Sequence, residues 1–205
     1  MIDDRPLPAI ALMLGFCLTA PLIDVTSKLA AASIPVGQVT TARFIVQAAI
    51  MAPICVILGQ SLRLPKGTGW QVVARAVCLI ASTYCFVAAV QIMPIADALA
   101  IAFVEPFLLL ILGATLFGDE VGPRRIGASL VGFLGSLLVI QPSFVAFGTV
   151  ALYPLGTALF FAFYMIVTRS LSRKLHPIAM QYQTAFVAMW MCLPVMWLAD
   201  GRGWG

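Results

Sequence analysis

Residues 94–141 read PIADALAIAFVEPFLLLILGATLFGDEVGPRRIGASLVGFLGSLLVIQ, and this stretch decides the fold. It contains two apolar runs, each long enough to cross a bilayer at 1.5 Å per helical residue, joined by the charged turn GDEVGPRR at 118–125. In the middle of the first run stands Glu105, followed directly by Pro106. A carboxylate at the centre of a hydrocarbon-spanning helix costs at least about 2.5 kcal/mol, which makes Glu105 a functional-site candidate by default.

Working outward, the rest of the chain repeats the pattern. The 205 residues are 62% hydrophobic and 10% charged, with a mean hydropathy of +1.05. Soluble domains carry roughly 25% charged residues, so this chain lacks the polar surface to cover itself in water. Apolar runs at about 8–33, 37–59, 70–90, 94–117, 124–140, 150–170 and 178–198 give seven candidate spans. They are continuously apolar, with no period-two alternation, which selects helices over barrel strands. The predicted class is an all-α polytopic membrane protein with about seven transmembrane helices, its first partner the lipid bilayer. The run after MIDDRPLP is too long for a cleaved signal, so it reads as a first span that stays.

The net charge of +4 points to orientation, not to nucleic acid. Arg5 precedes span 1; Arg63, Lys66 and Arg75 follow span 2; Arg124 and Arg125 follow span 4; Arg169, Arg173 and Lys174 follow span 6. The connections after spans 1, 3 and 5 contain neither Lys nor Arg. That bias predicts a cytoplasmic N-terminus. The five cysteines, Cys17, Cys55, Cys78, Cys85 and Cys192, lie in apolar runs without CxxC or Cys/His ligand spacing, so no metal or cofactor is expected. The single histidine, His176, is in a loop, which leaves no His-dependent catalytic dyad at membrane depth. The protein is predicted not to be an enzyme.

A weak internal repeat supports an inverted plan. Shifting the chain by 142 positions aligns Val25 and Thr26 with Val167 and Thr168, Leu29 with Leu171, Pro35 with Pro177 and Phe44 with Phe186. An offset of five spans reverses the second copy in the membrane, an arrangement recurrent in secondary transporters. Residues 8–142 would form one five-helix repeat and 148–205 the first two helices of another, which reads as a truncated product. The competing readings are a non-transporting fragment and a seven-helix receptor or sensor. The latter would place the N-terminus on the opposite side.

The ionisable groups inside spans are Asp24, Lys28, Arg43, Asp97 and Glu105. Glu105 is expected near the midplane, Asp24 about a turn outward, and the other three in the outer third. Asp24 and Lys28, four residues apart, share a helix face and are expected to pair, with Pro21 kinking the helix beneath them. Tyr84 and Gln91, with Ser82 and Thr83, are candidates for the same cavity. On span 5, Ala128, Gly132 and Ser136 form a small-residue stripe that suits close helix contact within the bundle or in a homodimer. The turn at 118–125 is expected to be solvated, with Pro123 beginning the next helix.

The run VEPFLLLILGATLFGDEVGPRRIGASLVGFLGSLLVIQP resembles the end of the EamA domain of the drug/metabolite transporter superfamily. Pro106, Gly118 with Glu120, Gly127 and Gly135 occupy the family's helix, turn and glycine positions, with Asp119 inserted between Gly and Glu. Thr41-Ala42-Arg43-Phe44 similarly resembles the family's arginine near the start of helix 2. The resemblance implies ten spans in two inverted five-helix repeats. It also implies movement of a small metabolite by alternating access, the substrate being an amino acid, S-adenosylmethionine, a nucleobase or a vitamin such as riboflavin.

Overall fold

The computed structural model describes residues 14, 18, 22–64, 67–118, 122–140 and 148–200. Among these residues there are helices and no strands. Residues 22–31 belong to α1, followed by α2 (Val36–Ile57), α3 (Gly69–Ile92), α4 (Ile95–Ala102), α5 (Glu105–Phe117) and α6 (Pro123–Ile140). A 3-10 turn at Gly148–Ala151 leads into α7 (Leu152–Leu171), and α8 (Pro177–Asp200) ends the described chain. Among the described residues, four stretches are long and apolar enough to cross a membrane: Val36–Ile57, Gly69–Ile92, Ile95–Phe117 and Gly148–Leu171. The chain is therefore a multi-pass membrane protein.

Local chemistry sets the helix ends. Gly118 closes α5 in the left-handed conformation at φ 65°, which a residue with a Cβ adopts only under strain. Pro123 opens α6, as its fixed φ and missing N–H predict. Asp119 and Glu120 of the charged turn, like Pro21 and Cys17, lie outside the described residues.

One element departs from the expected uninterrupted span. The run from Ile95 to Phe117 is split at Phe103–Val104 into α4 and α5. Pro106 has no N–H to offer the carbonyl of Ala102, and its ring crowds that carbonyl, so the ladder cannot continue through this turn. The backbone compensates locally. Val104 N–H donates to the Ile101 carbonyl at 3.3 Å, a 3-10 step, and Phe107 N–H picks up the Val104 carbonyl at 3.0 Å.

The helices assemble mainly through α3, which packs along α7, and α2, which packs along α8. Membrane helices associate through close packing, because lipid tails are as apolar as leucine. The α3–α7 seam is accordingly lined by small side chains: Ala76 and Ala89 on α3, Ala158 and Ala162 on α7, all essentially buried. At Gly156 a Cβ would stand 3.2 Å from the Cys85 sulfur, a tight contact that the side chain of Cys85 would have to relieve. The stripe on α6 behaves differently from expectation. A Cβ on Gly132 would meet nothing within 4 Å, and Ala128 is exposed. Close helix contact inside the bundle is made by α3 and α7 instead.

Candidate functional site

Glu105 is the first residue of α5, immediately after the break, and it is half-buried. An acid there faces the positive end of a helix dipole. Among the described residues nothing donates a hydrogen bond to its carboxylate. The break lies eight residues into the span, about 12 Å from the Ile95 end. Irregular backbone at that depth persists only where protein buries it or water fills a cavity beside it.

Asp24 and Arg43 form a second element. Their charges act on each other from α1 and α2. Arg43 is exposed on α2, beside the buried Phe44.

Asp24 does not pair with Lys28. The Lys28 ammonium donates to the Met93 carbonyl at 3.3 Å, at the end of α3. Helix ends leave carbonyls without partners, and a lysine from a neighbouring helix satisfies this one. Gln91 donates its side-chain amide to the Ala31 carbonyl at 2.7 Å. Lys28 and Gln91 therefore tie α1 to α3 and line a cavity of about 230 Å³ between them, with Val25, Leu29 and Ile95. Asp97 sits in the first turn of α4, where a carboxylate suits the dipole. Tyr84 is 47% exposed on α3, away from this group of interactions. Ser82 is buried and donates to the Thr157 carbonyl at 3.2 Å across the α3–α7 seam.

The most extensively bonded side chain was not among the sequence candidates. Arg75, counted with the loop cations, is 2% exposed. Its Nε donates to Thr168 Oγ1 at 2.8 Å. One terminal nitrogen serves the Met180 carbonyl at 3.0 Å and Thr184 Oγ1. The other serves Tyr164 Oη and, at 3.1 Å, Gln181 Oε1. A guanidinium has five N–H donors, and five acceptors are present. Its carbon also lies 4.4 Å from the centroid of the Tyr164 ring, within cation–π range. The available signal was the spacing of the acceptors. Tyr164 and Thr168 are four apart on α7, and Gln181 and Thr184 three apart on α8, each pair a polar patch on one face of an apolar helix.

Comparison with known proteins fits this architecture. The family model for the EamA-like transporter family matches residues 7–141. The chain belongs to that family. Its relatives include a riboflavin transporter of Rhizobium johnstonii, 36% identical over 104 residues, half of this chain and 34% of that protein. A pseudopaline exporter of Pseudomonas aeruginosa is 28% identical over 127 residues, 59% of this chain and 45% of that protein. The chain thus spans less than half the length of these two curated relatives. A crystal structure superposes with a TM-score of 0.62 at 19% identity, covering 88% of this chain and 68% of that one. The family and these relatives are named as transporters, and none is named as an enzyme.

Proposed function

We propose that the chain contributes to a secondary transporter of the bacterial inner membrane that moves a small polar metabolite by alternating access. In this reading residues 8–142 are one EamA repeat, 148–205 begin an inverted second, and the N-terminus is cytoplasmic. The observation that carries it is the break at Phe103–Val104, which puts a carboxylate with no donor among the described residues at the start of a half-helix inside an apolar span. Discontinuous helices with exposed backbone ends near mid-depth are a recurrent way to build substrate and ion sites. Glu105 would contact substrate or proton, and Asp24 and Arg43 would line the route to it. Lys28, Gln91 and Asp97 would support the route's walls, and Tyr84 is the weakest member of the set.

The relatives' names favour a vitamin or an amino-acid-derived metabolite, and riboflavin is the first probe. In proteoliposomes of the membrane protein, Glu105→Gln is expected to keep insertion and melting temperature. Riboflavin flux should fall by about tenfold or more, the scale of one lost hydrogen bond to a charged group. Unchanged flux in that variant would remove Glu105 from the site.

A further inference from the structure

Arg75 has no role in the site just described, yet the fold invests five hydrogen bonds in it. All five acceptors come from α7 and α8, whereas Arg75 comes from α3. The acceptors are hydroxyls, an amide and a backbone carbonyl. None is a carboxylate. A buried cation held only by neutral groups is a poor device for static stability, since a well-packed apolar residue often serves as well or better. Its five bonds are charge-assisted on the arginine side, but no acceptor carries a charge, so the contact lacks the Coulombic attraction of an ion pair and suits an interface that must part.

The surroundings give this contact a direction. Phe44, 0% exposed, packs with Ala76, Leu79, Tyr164, Ala188 and Cys192 into a dry cluster that joins α2, α3, α7 and α8. Tyr164 belongs both to this cluster and to the Arg75 contacts, so the two are one continuous seal. On the adjoining residue, Arg43 keeps its open surface, with Asp24 opposite. The helices are thus closed around Arg75 and Phe44, whereas Arg43 on the other side of Phe44 is exposed.

Resting on the alternating-access reading, we propose that Arg75 is a positioning residue of transport: a latch that closes the α3-N-terminal end of the bundle against α7 and α8, and releases them when that end opens. Tyr164 links the latch to the Phe44 plug. Opening therefore requires the guanidinium to give up Tyr164, Thr168, Gln181 and Thr184 together, which couples the movement of α7 to that of α8.

The test uses single cysteines in a variant of the membrane protein whose native cysteines are replaced, reconstituted in liposomes, with a membrane-impermeant maleimide as probe. Ala188→Cys, in the buried Phe44 cluster, reports the sealed side and Arg43→Cys the open side. Tyr164→Phe keeps the ring and removes one acceptor from Arg75. It should raise labelling at position 188 by about tenfold and lower labelling at position 43, the population shift produced by one lost hydrogen bond to a charged group. A merely structural arginine would leave the two rates unchanged or raise both, and either result overturns the latch. Arg75→Lys, which keeps the charge but not the five-donor fork, should shift both rates in the same reciprocal sense. The labelling needs no substrate, so failure of the latch is separable from failure of the transport reading, which the flux of the parent protein decides.

Discussion

Arg75 and Glu105 are both ionisable groups set inside apolar helices, and the helices around them are built in opposite ways. Around Arg75 the ladder of α3 is unbroken, the α7 seam is lined with alanine and one closely packed glycine, and each N–H of the guanidinium has an acceptor. Around Glu105 the ladder is broken, and the carboxylate has no donor among the described residues. A satisfied buried charge holds helices together and has nothing left to offer a ligand. An unsatisfied one at a helix break destabilises the empty protein slightly and is available to whatever arrives. The difference separates the part that fixes or gates the bundle from the part that binds.

The comparison breaks most visibly if the seam survives loss of its arginine. Arg75→Ala removes all five bonds and leaves a void among α3, α7 and α8. A cost of about 3 kcal/mol is expected, from the stranded polar groups and the cavity together. Thr168 and Thr184 limit the damage, because each also donates to its own helix, to the Tyr164 carbonyl at 2.6 Å and the Met180 carbonyl at 2.8 Å. The readout is the melting temperature in detergent, where the drop should greatly exceed that of Glu105→Gln. Equal melting of the two variants would mean that satisfaction of the charge does not distinguish the sites.

The seam itself supplies the next effect. Gly156→Val places atoms where a Cβ alone would already be 3.2 Å from the Cys85 sulfur. Overpacking at such a contact costs about 1–3 kcal/mol. The double variant with Cys85→Ala should recover much of it, because the clash is with that side chain. No recovery would place the strain in the backbone instead.

These effects involve residues of unequal visibility in the sequence. The spans were legible because length and apolarity suffice to define them, and Gly118 and Pro123 mark an end and a start by backbone geometry alone. Glu105 was legible as an anomaly, but not its setting. Pro106 signals a disturbed ladder, whereas the position of the break depends on which carbonyls find other donors. Asp24 and Lys28 were expected to pair on spacing, yet the end of α3 offers Lys28 a carbonyl that no single-helix reading reveals. Arg75 was hidden by its position. Six residues from the start of α3, it counts equally well as a loop cation or as a buried one, and only the packing of α7 and α8 against α3 decides.

The smallest effect sharpens the comparison most cleanly, because it uses the same residue twice. Thr26 and Thr168 are equivalent under the shift of 142 positions. Both hydroxyls donate back to their own helix, Thr26 to the Leu22 carbonyl at 2.8 Å and Thr168 to the Tyr164 carbonyl at 2.6 Å. Only Thr168 also accepts from Arg75, while Thr26 stands exposed on α1. Thr168→Ala should therefore lower stability by about 1–2 kcal/mol, the worth of one hydrogen bond to a charged group. Thr26→Ala should stay within about 0.5 kcal/mol of the parent, as surface substitutions do. Matched losses at both positions would indicate that the shared bond back to the helix carries the effect and that Arg75 contributes little. A loss confined to Thr168 would assign the stability of this seam to the guanidinium, and would show two sequence-equivalent threonines separated in role by what packs against them.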